Sequence, residues 1–145
     1  MTSQEIISIL PYSSPFLFVD SIENMDENSI TGTYTFKKDE FFYQGHFKNY
    51  PITPAVILTE VMAQIGVVCL GIYLLKDIIS PDNFPQIAMT STQVDFLLPV
   101  YPGEKVTVIS EKVYFRFGKL KCNILMLNEK GDLVCKGVIS GMIKK

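Results

Sequence analysis

Three features of this chain have residue types and spacing suited to chemistry. The first is His46, the chain's one histidine, in Gly45-His46-Phe47. Imidazole titrates near neutral pH, so it can serve as a general base; the alternative is a ring packed under a loop. The second is Glu60, which stands in a strongly apolar stretch beside Ile57, Leu58, Val61 and Met62. A carboxylate there is paired, exposed through one face, or functional. Burial would raise its pKa and keep it able to donate a proton. Gln64 lies one turn further on the same helical face, so the two either line a pocket or form a solvated stripe. The third is Thr53-Pro54-Ala55-Val56, which reads as a helix start. Its free backbone N–H groups and positive dipole end suit a developing oxyanion on a carbonyl, although every helix has such an end.

These groups need elements to hold them. Thr53 reads as a hydroxyl N-cap and Pro54 as the first helical residue. From there to about Ile79 the pattern is apolar almost all round, which predicts an enclosed helix. Before it, residues 3–9 predict a short helix, Phe16 to Ile22 a strand, Met25 to Asn28 a turn and Ser29 to Phe36 a half-buried strand with Ile30, Gly32, Tyr34 and Phe36 on one face. Asp39 to Pro51 carries aromatics without a period and reads as a long structured loop. After Pro85, Gln86–Leu98, Glu104–Phe117, Leu120–Leu127 and Leu133–Ile143 predict strands. Phe117-Gly118-Lys119 and Asn128 to Asp132 read as tight turns between them. The class is α+β, one long buried helix against a curled antiparallel sheet.

Composition narrows the function. The chain has 145 residues, 48% of them hydrophobic and 19% charged, enough for one domain with a real core, taken here as 1–145. A net charge of −2 argues against nucleic acid. One histidine excludes a zinc site built on several. Cys69, Cys122 and Cys135 have no motif and suit free thiols in a reducing, cytoplasmic setting, with Cys69 in the core. Met62, Met89, Met126 and Met142 also read as core, and Lys144-Lys145 as a solvated tail. The start Met1-Thr-Ser-Gln-Glu has no basic, apolar leader pattern. The charge-free run Val61 to Leu75 spans 15 residues, short of the roughly 20 of a membrane span. No dinucleotide-binding, phosphate-loop, nucleophile-elbow or zinc-protease motif is present.

Two segments together resemble a known family. Leu10-Pro-Tyr-Ser-Ser-Pro-Phe-Leu-Phe-Val-Asp20 resembles the "LPHRYPFLLVD" opening of the 3-hydroxyacyl-acyl-carrier-protein dehydratases of the FabZ/FabA type, which have the hotdog fold. Phe41 to Gln64 is similar to their "FFxGHFPxxPxxPGVLxxEaxAQ". Asp95 to Glu104 is a weaker match to "RFRRPVxPGD". The resemblance implies that His46 removes the proton beside the thioester carbonyl and that Glu60 helps protonate the departing 3-hydroxyl. It implies that the Ala55 N–H steadies the enolate-like oxygen, that Gly45 lets the chain pass close to substrate, and that Gln64 orients Glu60. With Phe47, Pro54 and Val56, these make the expected substrate-binding set. The resemblance also implies no cofactor or metal, and an acyl thioester substrate on acyl carrier protein or CoA. A homodimer or a trimer of dimers is implied, with the histidine and acid of one site on different subunits and an acyl tunnel between them.

The chain departs from the family pattern in informative places. Tyr12-Ser13-Ser14 replaces His-Arg-Tyr, Ala55 replaces the glycine of "PGV", and Lys48-Asn49 follows "GHF". Asp95, Leu97 and Leu98 replace arginines that would meet an acidic carrier or a phosphate, which removes positive charge there. Two other readings stand beside dehydration: a hotdog acyl thioesterase, and a non-catalytic subunit that binds acyl chains or a partner dehydratase.

Overall fold

The long apolar stretch forms the helix that the rest of the chain encloses. In the computed structural model, which describes residues 1–144, it is α-helical over Ala55–Ala63 (α2), π-helical over Gln64–Cys69 and α-helical again over Leu70–Leu74 (α3). The expected extension to Ile79 does not form: Leu75 to Ile78 is a series of turns. A short helix, α1 (Ser3–Ser8), precedes the strands and is capped by the Thr2 side chain.

Six strands follow the predicted order: β1 (Ser21–Met25), β2 (Ser29–Thr35), β3 (Gln86–Phe96), β4 (Lys105–Arg116), β5 (Lys119–Leu127) and β6 (Leu133–Lys144). They form one antiparallel sheet in the order β1-β2-β4-β5-β6-β3. The π segment packs against β2, β4, β5 and β6, so the sheet curls around it. This is the architecture the resemblance implies. Lys144, read as tail, closes β6, and Lys145 lies outside the described residues.

Three local expectations change. Phe16 to Asp20 is not a strand; β1 starts at Ser21. Phe18 packs into the core while Phe16 stays exposed, and the Phe18 N–H bonds the Gln64 side chain at 2.8 Å instead of a neighbouring strand. Thr53 does not cap the helix. Pro54 is the N-cap residue, no side chain caps α2, and the Thr53 hydroxyl instead pairs with Tyr43 Oη at 2.6 Å. Met62 and Met126 are core as expected, but Met89 is exposed.

Two glycines explain local geometry. In the β4–β5 turn, Phe117 and Gly118 have φ of 52° and 74°, the paired positive angles that suit a two-residue hairpin. At Gly66, a Cβ would lie 2.7 Å from Ile124 Cδ1 and 3.1 Å from Ser110 Cβ. Ser110 Oγ donates to the Gly66 carbonyl at 2.9 Å. The helix therefore approaches the sheet most closely inside the π segment, a departure from α geometry often found near functional sites. Ala55–Leu74 is long and apolar enough to cross a membrane by composition, yet 72% of its most apolar window is buried inside the fold.

Candidate active site

His46 follows the short 3-10 turn Phe41–Gln44 and is half-buried. Its Nδ1 lies 2.8 Å from the Ile52 carbonyl oxygen. A carbonyl can only accept, so Nδ1 carries a proton, and in the neutral ring the lone pair is then on Nε2. The same two residues pair a second time through Ile52 N–H and the His46 carbonyl at 2.9 Å. The loop thus holds the ring from its backbone side. Phe47, 53% exposed, stacks on the imidazole with centroids 4.0 Å apart.

The groove beside His46 is lined by Phe47, Ile52, Ala55, Leu58 and the Leu97-Leu98 pair. The start of α2 therefore opens onto the histidine's own groove. The Pro54 carbonyl accepts from Ile57 N and Leu58 N. Ala55 and Val56 hold the first two helical positions, whose N–H groups have no partner within a helix. Both residues are exposed, and no side chain caps them. Pro54 is buried beneath this end, and Gly45 is exposed with open space around its α-carbon.

Glu60 belongs to a different recess. It faces a cavity of about 250 Å³ between α2, the π segment and the strands β3, β5 and β6. Its side chain also borders a shallower groove with Ala55, Val56, Thr59 and Phe96. Gln64 Nε2 donates to Glu60 Oε2 at 2.9 Å and to the Phe16 carbonyl at 3.0 Å, while its Oε1 accepts from Phe18 N–H. Gln64 is fully buried, and its three hydrogen bonds tie the Glu60 carboxyl to the Phe16–Phe18 segment. Burial pushes the Glu60 carboxyl above its ordinary range, and the Gln64 hydrogen bond pulls partly the other way. The net effect is upward, so the carboxyl holds its proton to a higher pH than a free glutamate.

Within one chain, His46 lines one groove, and Glu60 lines the cavity and an adjoining groove that shares Ala55 and Phe96 with the first. Sequence reasoning missed the cavity's other walls, among them Tyr12, Phe16, Ala88 and Met89. They come from segments far apart in the chain, and no local pattern marks them. Leu97 and Leu98, noted only as departures, prove to rim the histidine's groove.

Comparison with known proteins fits this geometry. A family model described as a FabA-like domain matches residues 10–139. A 3-hydroxyacyl-[acyl-carrier-protein] dehydratase FabZ of Acinetobacter baylyi is 34% identical over 85% of this chain and 82% of its own length. The FabZ of Clostridium perfringens (strain SM101) is 30% identical over 96% of both. Among solved structures, the dehydratase heterocomplex ApeI:P of Xenorhabdus doucetiae superposes with a TM-score of 0.81 at 12% identity, covering 97% of this chain and 91% of that one. A thioesterase of Haemophilus influenzae superposes with a TM-score of 0.70 at 15% identity, covering 99% and 90%. The two structural likenesses speak to the hotdog fold alone. With a family model matched over most of its length and full-length relatives at 30% identity or more, the chain belongs to the FabA-like family.

Proposed function

We propose that this protein dehydrates a 3-hydroxyacyl thioester to the trans-2-enoyl thioester, with the acyl group carried on acyl carrier protein, in fatty-acid synthesis. The observation that carries the reading is the His46 Nδ1 bond to the Ile52 carbonyl. It leaves Nε2 as a proton acceptor in the groove that the start of α2 also enters. Nε2 takes a proton from the carbon beside the thioester carbonyl. The electron pair forms the new double bond as the bond from C3 to oxygen breaks. Glu60 supplies the proton with which the hydroxyl leaves as water. The Ala55 N–H stabilises the enolate-like oxygen at the positive end of the helix. The names of the relatives support the substrate class.

The working form is a homodimer in this reading. β3 is an edge strand of 11 residues, exposed along most of its length. An open edge of that length is a template for a second strand. Val56, 75% exposed, and Phe96 flank it in the groove that reaches Glu60. A second copy paired along β3 would bring its own His46 loop toward that groove, completing a site from two chains. We read residues 1–145 as one such domain, in the reducing cytoplasm that its three buried free thiols suit.

The test follows the conjugated absorbance of a short trans-2-enoyl thioester as water adds, on acyl carrier protein and on CoA. The expected result is hydration by the wild type that collapses in His46→Ala. Release of free thiol would instead assign a thioesterase. Binding of the acyl thioester without turnover would assign a non-catalytic subunit.

A further inference from the structure

The tyrosines buried within the fold fall into two groups. Tyr34 Oη donates to Glu40, and Tyr43 Oη pairs with Thr53 Oγ1. Tyr12 is half-buried, packs against the core and lines the Glu60 cavity. Among the described residues its hydroxyl bonds no side chain, and no buried side-chain oxygen lacks a partner. Its hydroxyl is therefore accessible rather than sealed in the core, on a residue that forms part of the cavity wall. That cavity is otherwise apolar: the polar side chains on its wall are Tyr12, Glu60 and Ser140.

We propose, resting on the dehydratase reading, that the Tyr12 hydroxyl donates a hydrogen bond to the substrate's 3-hydroxyl oxygen, in the cavity that Glu60 also lines. Glu60 has one oxygen occupied by Gln64 and the other available to the cavity. The two groups share a cavity but are not hydrogen-bonded to each other. Glu60 nevertheless adds to the burial that pushes the Tyr12 phenol far upward, so the two lie within electrostatic reach. A phenol held protonated is a donor at working pH. A leaving oxygen has lone pairs for two donors and gains negative charge as its bond to C3 breaks, so a donor preorganised at that point stabilises the transition state. Tyr12 would thus make the cavity select acyl chains bearing oxygen at C3 over saturated ones. An unmet hydroxyl in an apolar wall otherwise disfavours what binds there.

Tyr12→Phe keeps the ring and removes the donor. Turnover of a 3-hydroxyacyl thioester is measured beside the affinity for the saturated thioester of equal length. The proposal expects kcat/KM for the hydroxylated substrate to fall by about 10–100-fold, the range of one hydrogen bond of 1.4–2.7 kcal/mol. It expects affinity for the saturated thioester to hold or to rise, because the ring still forms the wall and the unmet hydroxyl is gone. Equal losses on both ligands would make Tyr12 a packing residue and overturn the proposal. Unchanged turnover would also overturn it. If the wild type turns over no 3-hydroxyacyl thioester on either carrier, the dehydratase reading itself fails, a result distinguishable from an active wild type and an equally active Tyr12→Phe.

Discussion

Beside the start of α2, His46 is held through Nδ1 by the Ile52 carbonyl and lines a shallow groove rimmed by exposed Phe47, Leu97 and Leu98. Five residues further along the same helix, Glu60 is held by a fully buried amide and faces a largely apolar cavity. The contrast fits the two proton transfers proposed for these residues. A base needs its lone pair fixed and open, which the Ile52 carbonyl does by taking the other nitrogen. An acid needs to hold its proton, and burial pushes the Glu60 carboxyl in that direction by disfavouring the carboxylate. One helix thus serves two environments, its uncapped end in the groove and its second turn in the cavity.

The largest expected effects come from removing either chemical group. His46→Ala and Glu60→Gln should each lower the hydration rate about 10²–10⁴-fold with the fold intact, as read by rate and by thermal unfolding. A small loss in one alone would break the division of labour between groove and cavity.

Gln64→Leu should disturb the Glu60 half. It strips partners from Phe18 N–H and the Phe16 carbonyl, at about 1–3 kcal/mol for each polar group left buried and unmet. A calorimetric scan should show the lower midpoint. The sign of the pH effect follows from the opposing causes: the Gln64 bond lowers the Glu60 pKa, so its loss raises it further. Dehydration needs the protonated acid, so the alkaline fall in kcat should move to higher pH. A shift to lower pH would show that Gln64 does not set the carboxyl's proton affinity.

Gly66→Ala is the mildest of these changes. Its methyl would press on Ile124 and Ser110, costing about 1–3 kcal/mol of stability. The His46 hydrogen bond to Ile52 should survive, which the imidazole nitrogen resonances would report. Loss of that bond would couple the two regions more tightly than their separate contacts indicate.

Much of this arrangement is legible from residues. The apolar run after Pro54 announces an enclosed helix, and Phe117-Gly118 announces a hairpin. The order of the strands and the three elements of chemistry follow from pattern and resemblance. What escapes is decided by tertiary contacts. Phe16 to Asp20 has strand-like residues, but the Gln64 amide takes the Phe18 N–H. Thr53 has the chemistry of a cap, but Tyr43 takes its hydroxyl. The π segment carries no local signal beyond Gly66, whose close approach to the sheet is set by Ile124 and Ser110. Tyr12 gains its setting from a cavity wall assembled from the N-terminal segment, the helix and three strands.

The central claim is that His46 of one chain works with Glu60 of another. The direct measurement mixes His46→Ala with Glu60→Gln by co-expression and assays hydration by the purified mixed dimer. In a two-fold dimer the mixed species carries one intact site and one doubly altered site. The account predicts activity restored to about half of the wild-type rate per mixed dimer, where each variant alone is nearly inactive. Mixed dimers no more active than either parent would contradict it and place both groups of each site on one chain.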